Sequence, residues 1–268
     1  MHSRPGRGLA RGVAWIAMAG VTSSAAATGL TPLYVVPTED RLQVAVPDDR
    51  PLLVEFDAVN RERLLEALGS SAVPSGRTSV RLGLEGPPAT ARTDVDDPSG
   101  RWLAASFIVD HDQPTIDALR TEFLASAASP ATVRPSDLVA FVDRKVDAVQ
   151  GQGWEPASQT ARTLRGDCTE HAVLTAALAR SLGVPARVVV GMVIVRPGTE
   201  YVTVGHAWAE LRDQDRWTIA DAALGPAAGH ARYVPLGLLE DESPGFLLQL
   251  LDTLNAWVSR VVVLGPDD

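Results

Sequence analysis

Cys168 is the only cysteine in this 268-residue chain, and it stands where a helix should begin, in Arg165-Gly166-Asp167-Cys168-Thr169-Glu170-His171-Ala172. Downstream, one strand-like run carries His206 in Gly205-His206-Ala207-Trp208, and the next carries Asp221 in Ile219-Ala220-Asp221. A lone thiol followed by His and Asp on neighbouring strands has the make-up of a nucleophile, its base and the group that orients the base. A cysteine attacks as its thiolate, which a helix N-terminus and a nearby imidazolium both stabilise. Asp221 would fix the tautomer of His206 and support its charged form. The first-turn N–H of Cys168 is a candidate oxyanion donor, and Gly166 would let the chain turn tightly into the helix.

The elements that position these residues follow from pattern. An Ala- and Leu-rich helix is expected over 168–182, stopped by Gly183 with Pro185 beyond it. Strands are expected over 186–195, 201–211 and 216–223, joined by turns at 196–199 and 212–215. If Asp213-Gln214 is a two-residue hairpin loop, His206 lies across from Asp221, Trp208 from Ile219 and Glu210 from Trp217. Opposed Cβ atoms are about 4.5–5.5 Å apart, within reach of a carboxylate–imidazole hydrogen bond. Both side chains are expected on the Cys168 side of the sheet, with Cys168 partly accessible and its sulfur near the His206 ring. Upstream, Ser136-Asp137 can cap a helix over 138–149, and a shorter helix is expected over 157–164.

The remainder is organised but carries no motif. Residues 1–27 hold three arginines, an apolar stretch over 13–21 and Ala25-Ala26-Ala27, the order of a cleavable export signal. The apolar stretch is shorter than the roughly 20 residues a spanning helix needs. A secreted or periplasmic location without a stable membrane span is therefore expected. Residues 28–128 form the expected β-rich N-terminal region, with apolar runs at 33–36, 42–46, 52–56, 79–84 and 102–109, a helix over 59–68 and a loop over 86–100. A linker over 126–135 leads to an expected catalytic domain, 129–268, which closes on a helix over 245–258 and an edge strand over 261–264. Hydrophobic content of 46% against 21% charged residues marks a globular chain. A net charge of −9 gives no footprint for nucleic acid.

Gly-Asp-Cys-Thr-Glu-His-Ala at 166–172, Leu-Gly-Val-Pro-Ala-Arg at 182–187, Gly-His-Ala-Trp-Ala-Glu at 205–210 and Trp-Thr-Ile-Ala-Asp at 217–221 resemble the transglutaminase-like core, a papain-related cysteine family. The likeness spans about residues 135–225. It implies an α+β fold in which the helix bearing the nucleophile packs on an antiparallel sheet. It also implies Cys168 as nucleophile, His206 as base and Asp221 as orienter; no cofactor and no metal are expected. The implied chemistry is acyl transfer from an amide of a protein or peptide substrate through a thioester, resolved by water or by an amine. The family follows its acid with Pro-Thr, where this chain has Ala222-Ala223.

Other readings of the same residues stay open. Cys168, His171, His206 and Asp221 could ligate a metal, although Cys-x-x-His without a second close pair is a weak zinc pattern. A catalytically silent binding module could keep the fold. His171 shares a helix face with Cys168 and suits a supporting hydrogen bond, Trp208 and Trp217 read as core aromatics, and Trp154 or Gln159 could donate to an oxyanion. His111 and His230 carry no argument.

Overall fold

The computed structural model describes residues 33–42, 45–47, 49–85, 100–126, 134–149, 153–213, 216–240, 242–246 and 258–266. In chain order these form β1 (Val35–Val36), β2 (Thr38–Asp40), β3 (Leu52–Ala58), α1 (Arg61–Leu68), β4 (Val73–Pro74) and β5 (Ser79–Leu84). Helices α2 (Pro114–Ser126) and α3 (Pro135–Lys145), strand β6 (Asp147–Ala148), helix α4 (Ala157–Thr163), strand β7 (Arg165–Gly166) and helix α5 (Cys168–Ser181) follow. Strands β8 (Ala186–Val195), β9 (Val202–Asp213), β10 (Arg216–Ala220), β11 (Arg232–Leu238) and β12 (Val258–Pro266) complete the order.

Val- and Ala-rich runs with a period of two build the sheet that carries the site. Its strands run β1-β9-β8-β11, with β10 on the same edge of β9 as β1, and every pairing is antiparallel. One face of β8 and β9 presents Val188, Val190, Ala207, Ala209 and Leu211 to helices α2–α5. The other face gathers Val189, Val193, Val204, Trp208 and Tyr233 into a cluster of its own. A residue's place in the alternation therefore decides which core it joins. The architecture is α+β, with α5 packed on an antiparallel sheet as expected.

A second sheet, ordered β2-β12-β3-β5-β4, packs against Met192, Ile194, Val234 and Leu236 of the first. Here the chain departs from the expected division at residue 128. Strand β12, expected at the edge of the C-terminal domain, lies inside this N-terminal sheet, parallel to β2 and antiparallel to β3. Helix α2, which no expectation covered, buries Ile116, Leu119 and Phe123 in the same cluster as α5. Residues 102–109 are not a strand: a single 3-10 turn at Arg101–Leu103 starts them, and Trp102 is buried edge-on to Trp217 at 6.4 Å. Helix α3 begins at Pro135 after Arg134, whose side chain caps nothing, so Ser136-Asp137 is not the cap. Proline at the first helical position gives up no bond, because that N–H lacks an intrahelical partner anyway.

The export signal at 1–27, residues 86–99 of the loop, 127–133 of the linker and 247–257 of the C-terminal helix lie outside the described residues. Among the described residues, no helix is long and apolar enough to cross a membrane.

Gly191 of β8 faces the point where β11 changes register between Pro235 and Gly237. A Cβ there would collide with the carbonyl oxygen of Val234, which is backbone and cannot rotate away. Gly191→Ala should therefore pry β11 from β8 and destabilise the fold by about 1–3 kcal/mol. The check is a urea midpoint that falls while the slope of the transition stays unchanged.

Candidate active site

The start of α5 is held by a reciprocal cap. The Asp167 Oδ1 atom accepts the Thr169 N–H at 3.0 Å and the Thr169 hydroxyl at 2.7 Å. Glu170 Oε2 accepts the Asp167 N–H at 2.9 Å, so two first-turn donors are satisfied by two carboxylates. Glu170 Oε1 lies 2.8 Å from the same Thr169 hydroxyl and accepts the Glu155 N–H at 3.3 Å. Burial pushes the Glu170 carboxyl up to about 7, against the pull of the Asp167 N–H. Gly166 is required for room rather than for a turn, because a Cβ there would strike the Glu170 side chain. His171 donates from Nδ1 to the Asp167 carbonyl at 2.7 Å, the supporting bond expected of it. At the far end, Gly183 adopts φ +79° while its N–H and that of Val184 close on Arg180 and Ala179. This is a Schellman-type stop.

His206 and Asp221 are brought together. Nε2 of the ring donates to Asp221 Oδ2 at 2.7 Å, and neither residue is more than 3% exposed. The register differs from the expected one: Arg216 pairs with Asp213 and Ala220 with Ala209, so Ile219 faces Glu210 and Trp217 faces Arg212. The pairing is displaced by two residues, which preserves the alternation, and Asp221 meets His206 diagonally instead of directly across. Strand β1 covers this edge of β9 at Thr203 and Val204, and β10 covers it from Ala209 onward. His206 sits in the interval between them, which leaves its ring room to reach Asp221.

The Asp221 carboxylate is saturated with donors. Oδ2 also accepts the Tyr233 hydroxyl at 2.9 Å, while Oδ1 accepts the N–H groups of Ala223 at 3.0 Å and Leu224 at 3.1 Å. Because those Oδ1 donors are backbone groups, Ala222-Ala223 serves the acid in spite of its departure from the family pattern. Burial would raise the Asp221 carboxyl, but the His206 charge and hydrogen bond, with Leu224 and Tyr233, hold it below its ordinary value. Burial likewise opposes the imidazolium of His206. The Asp221 charge and hydrogen bond outweigh it, the nearby Cys168 adds support, and the imidazole is pushed up to about 10.

Cys168 lies near enough to His206 to support its charge, and one expectation about it fails. It is fully buried (0% exposed) within the apolar cluster of α2–α5, where partial access was expected. His206 and Asp221 meet Trp208 and Tyr233, one by ring stacking and the other by a hydrogen bond. Nδ1 of His206 is buried without a hydrogen-bond partner.

Neighbours that the sequence did not reveal brace the ring. Trp208 stacks on His206 with centroids 6.1 Å apart and the planes 21° from parallel. Its indole N–H points to Glu210, which is locked to the buried Arg187 at 2.8 Å directly across the β8–β9 pair. Arg187 in turn lies over Trp217 at 4.1 Å. Trp208 and Trp217 are thus core aromatics, as expected. Trp154 and Gln159 line a groove of about 670 Å³ with Phe107, Asp110 and Asp112, and the Gln159 side chain accepts a hydrogen bond from Arg162. Among the described residues, no group of three or more His, Cys, Asp or Glu side chains converges as a metal site would.

Residues 118–222 match the sequence profile of the transglutaminase-like superfamily. No curated protein sequence matches the chain. Among solved structures, the chain is similar to a candidate cysteine protease from Cytophaga hutchinsonii, at 17% identity over 75% of this chain and 78% of that one, with a TM-score of 0.40. It is also similar to the periplasmic domain of TgpA from Pseudomonas aeruginosa, at 24% identity over 56% of this chain and 55% of that one, with a TM-score of 0.36.

The raised imidazole links stability to pH. Its contribution is complete below the unfolded value near 6.5 and is lost as pH rises toward about 10. Asp221→Asn leaves the imidazole buried without its countercharge, which should cost about 3–5 kcal/mol near pH 6. The stability gap between wild type and variant should then shrink steadily up to pH 10. Urea midpoints of both proteins across that range provide the check.

Proposed function

Starting from a transglutaminase-like core at residues 118–222, we propose that the chain is a cysteine-dependent enzyme acting on amide bonds of protein or peptide substrates, with Cys168, His206 and Asp221 as its reacting set. The observation that carries this reading is the buried His206–Asp221 hydrogen bond at 2.7 Å, with Cys168 near enough to support the His206 charge. A structural imidazole needs no carboxylate saturated by three further donors, whereas a base that must carry charge does.

In the proposed reaction, His206 holds the proton released by the Cys168 thiol, and the sulfur adds to the substrate carbonyl carbon. The first-turn N–H of Cys168 stabilises the oxyanion, a role open to it because the Asp167 carboxylate engages Thr169 instead. His206 then returns the proton to the leaving amine as the C–N bond breaks, which leaves a thioester on Cys168. Water or a primary amine attacks that thioester, gives up its proton to His206 and frees the thiol. Asp221 keeps the ring oriented and offsets its charge throughout.

Because sulfur and imidazole are both sealed in the described structure, the proposed reaction requires an opening of the α5 surroundings. The same burial is the one observation favouring a silent binding module. The order of residues 1–27 supports export of the protein to a secreted or periplasmic location.

Mass spectrometry of a peptide library incubated with the protein, with and without a primary amine, tests the reading. Wild type should cleave, deamidate or aminate peptides, and Cys168→Ala or His206→Ala should lower that rate by about 10³-fold or more. Peptides left unchanged by wild type, or changed equally by Cys168→Ala, would leave the binding-module reading standing.

A further inference from the structure

We propose that Tyr233 is a positioning residue that shares the charge of Asp221 Oδ2 and so tempers the grip of Asp221 on His206, a role that rests on the reading of Cys168, His206 and Asp221 as the reacting set. Strand β11 places Tyr233 two strands away from His206, with β8 between them. Its hydroxyl nevertheless donates to the same carboxylate oxygen that His206 Nε2 uses. Its ring also meets Trp208 edge-on at 5.1 Å, and Trp208 stacks on His206. Tyr233 thus closes a circuit around the imidazole, touching both groups that hold it.

Two donors on one oxygen divide its charge, and each bond is weaker than it would be alone. The consequence bears on proton transfer. An imidazolium that Asp221 holds too firmly is a poor acid toward a leaving amine, because transfer is most effective when the donor's pKa lies near the working pH. His206 already stands high, at about 10, and a carboxylate bonded to it without a competing donor would push it higher. The ionisable groups around the circuit are Asp221 and Cys168 against His206, with the Glu210–Arg187 pair behind Trp208. The tyrosine is itself held in its neutral, donating form, because burial and the Asp221 charge raise it well above its ordinary value.

The test is nuclear magnetic resonance of the substrate-free protein, following the proton on His206 Nε2 and the ring's titration midpoint. Tyr233→Phe keeps the contact with Trp208 and removes only the hydroxyl. It should move the Nε2 proton downfield and raise the midpoint, on the order of half a unit. Replacing Tyr233 with 3-fluorotyrosine keeps the shape, strengthens the donor and should move both readings the opposite way. This second arm decides the matter alone if Tyr233→Phe fails to fold. Readings that do not move, or that move in the same direction in both proteins, overturn the role of Tyr233. Because no substrate is present, inactivity of wild type on amides would count against the proposed reaction and not against this result.

Discussion

A carboxylate sealed from water costs several kcal/mol unless donors replace its hydration, and much of the site follows from how this chain meets that demand at Asp221. The acid stands just past the end of β10, where the chain turns so that the N–H groups of Ala223 and Leu224 reach back to it. From the other side come the imidazole of β9 and the phenol of β11. Three strands and a turn are therefore registered against one side chain. The imidazole must be positive to complete the match, and that charge is what the sulfur at the head of α5 meets.

Alternation in β9 couples this polar arrangement to the packing. Ala207, Ala209 and Leu211 face the helices, while Trp208 packs in the separate cluster of the opposite face. Small residues on the helix side let α5 lie close to the sheet, which places Cys168 near the edge interval that His206 occupies. The Asp167–Glu170 cap fixes the first turn of that helix, and Gly166 leaves room for the Glu170 side chain. A carboxyl there that titrates near neutrality is the cost of burying the cap so thoroughly.

Sequence reading succeeded where the signal was local. Helix α5 is written in its Ala-rich body and its Gly-Val-Pro stop, and His206 and Asp221 were legible because a hairpin brings near neighbours in sequence together. The register was misjudged by two residues, yet the pair survived because a two-residue shift keeps side chains on the same face. What failed depends on distant contacts. Tyr233 lies in a strand interrupted by Pro235 and bonds a residue that its own strand does not touch in the sheet. Strand β12 pairs with segments some two hundred residues earlier, which no periodicity announces. Burial of Cys168 arises in a cluster whose members, such as Ile116, Phe141 and Ala157, are distant in sequence. Helix α2 alone was within reach, since Ile116, Leu119 and Phe123 follow helical spacing after Pro114.

The central claim is that a buried imidazolium, held by Asp221, sits beside Cys168 at neutral pH. Nitrogen-15 resonance of His206 in the wild-type protein measures this directly. The expected result is a ring protonated on both nitrogens through neutral pH, losing its proton only near the midpoint of about 10. A ring that is neutral at pH 7 to 8, with a midpoint at or below the ordinary value of about 6.5, would contradict it.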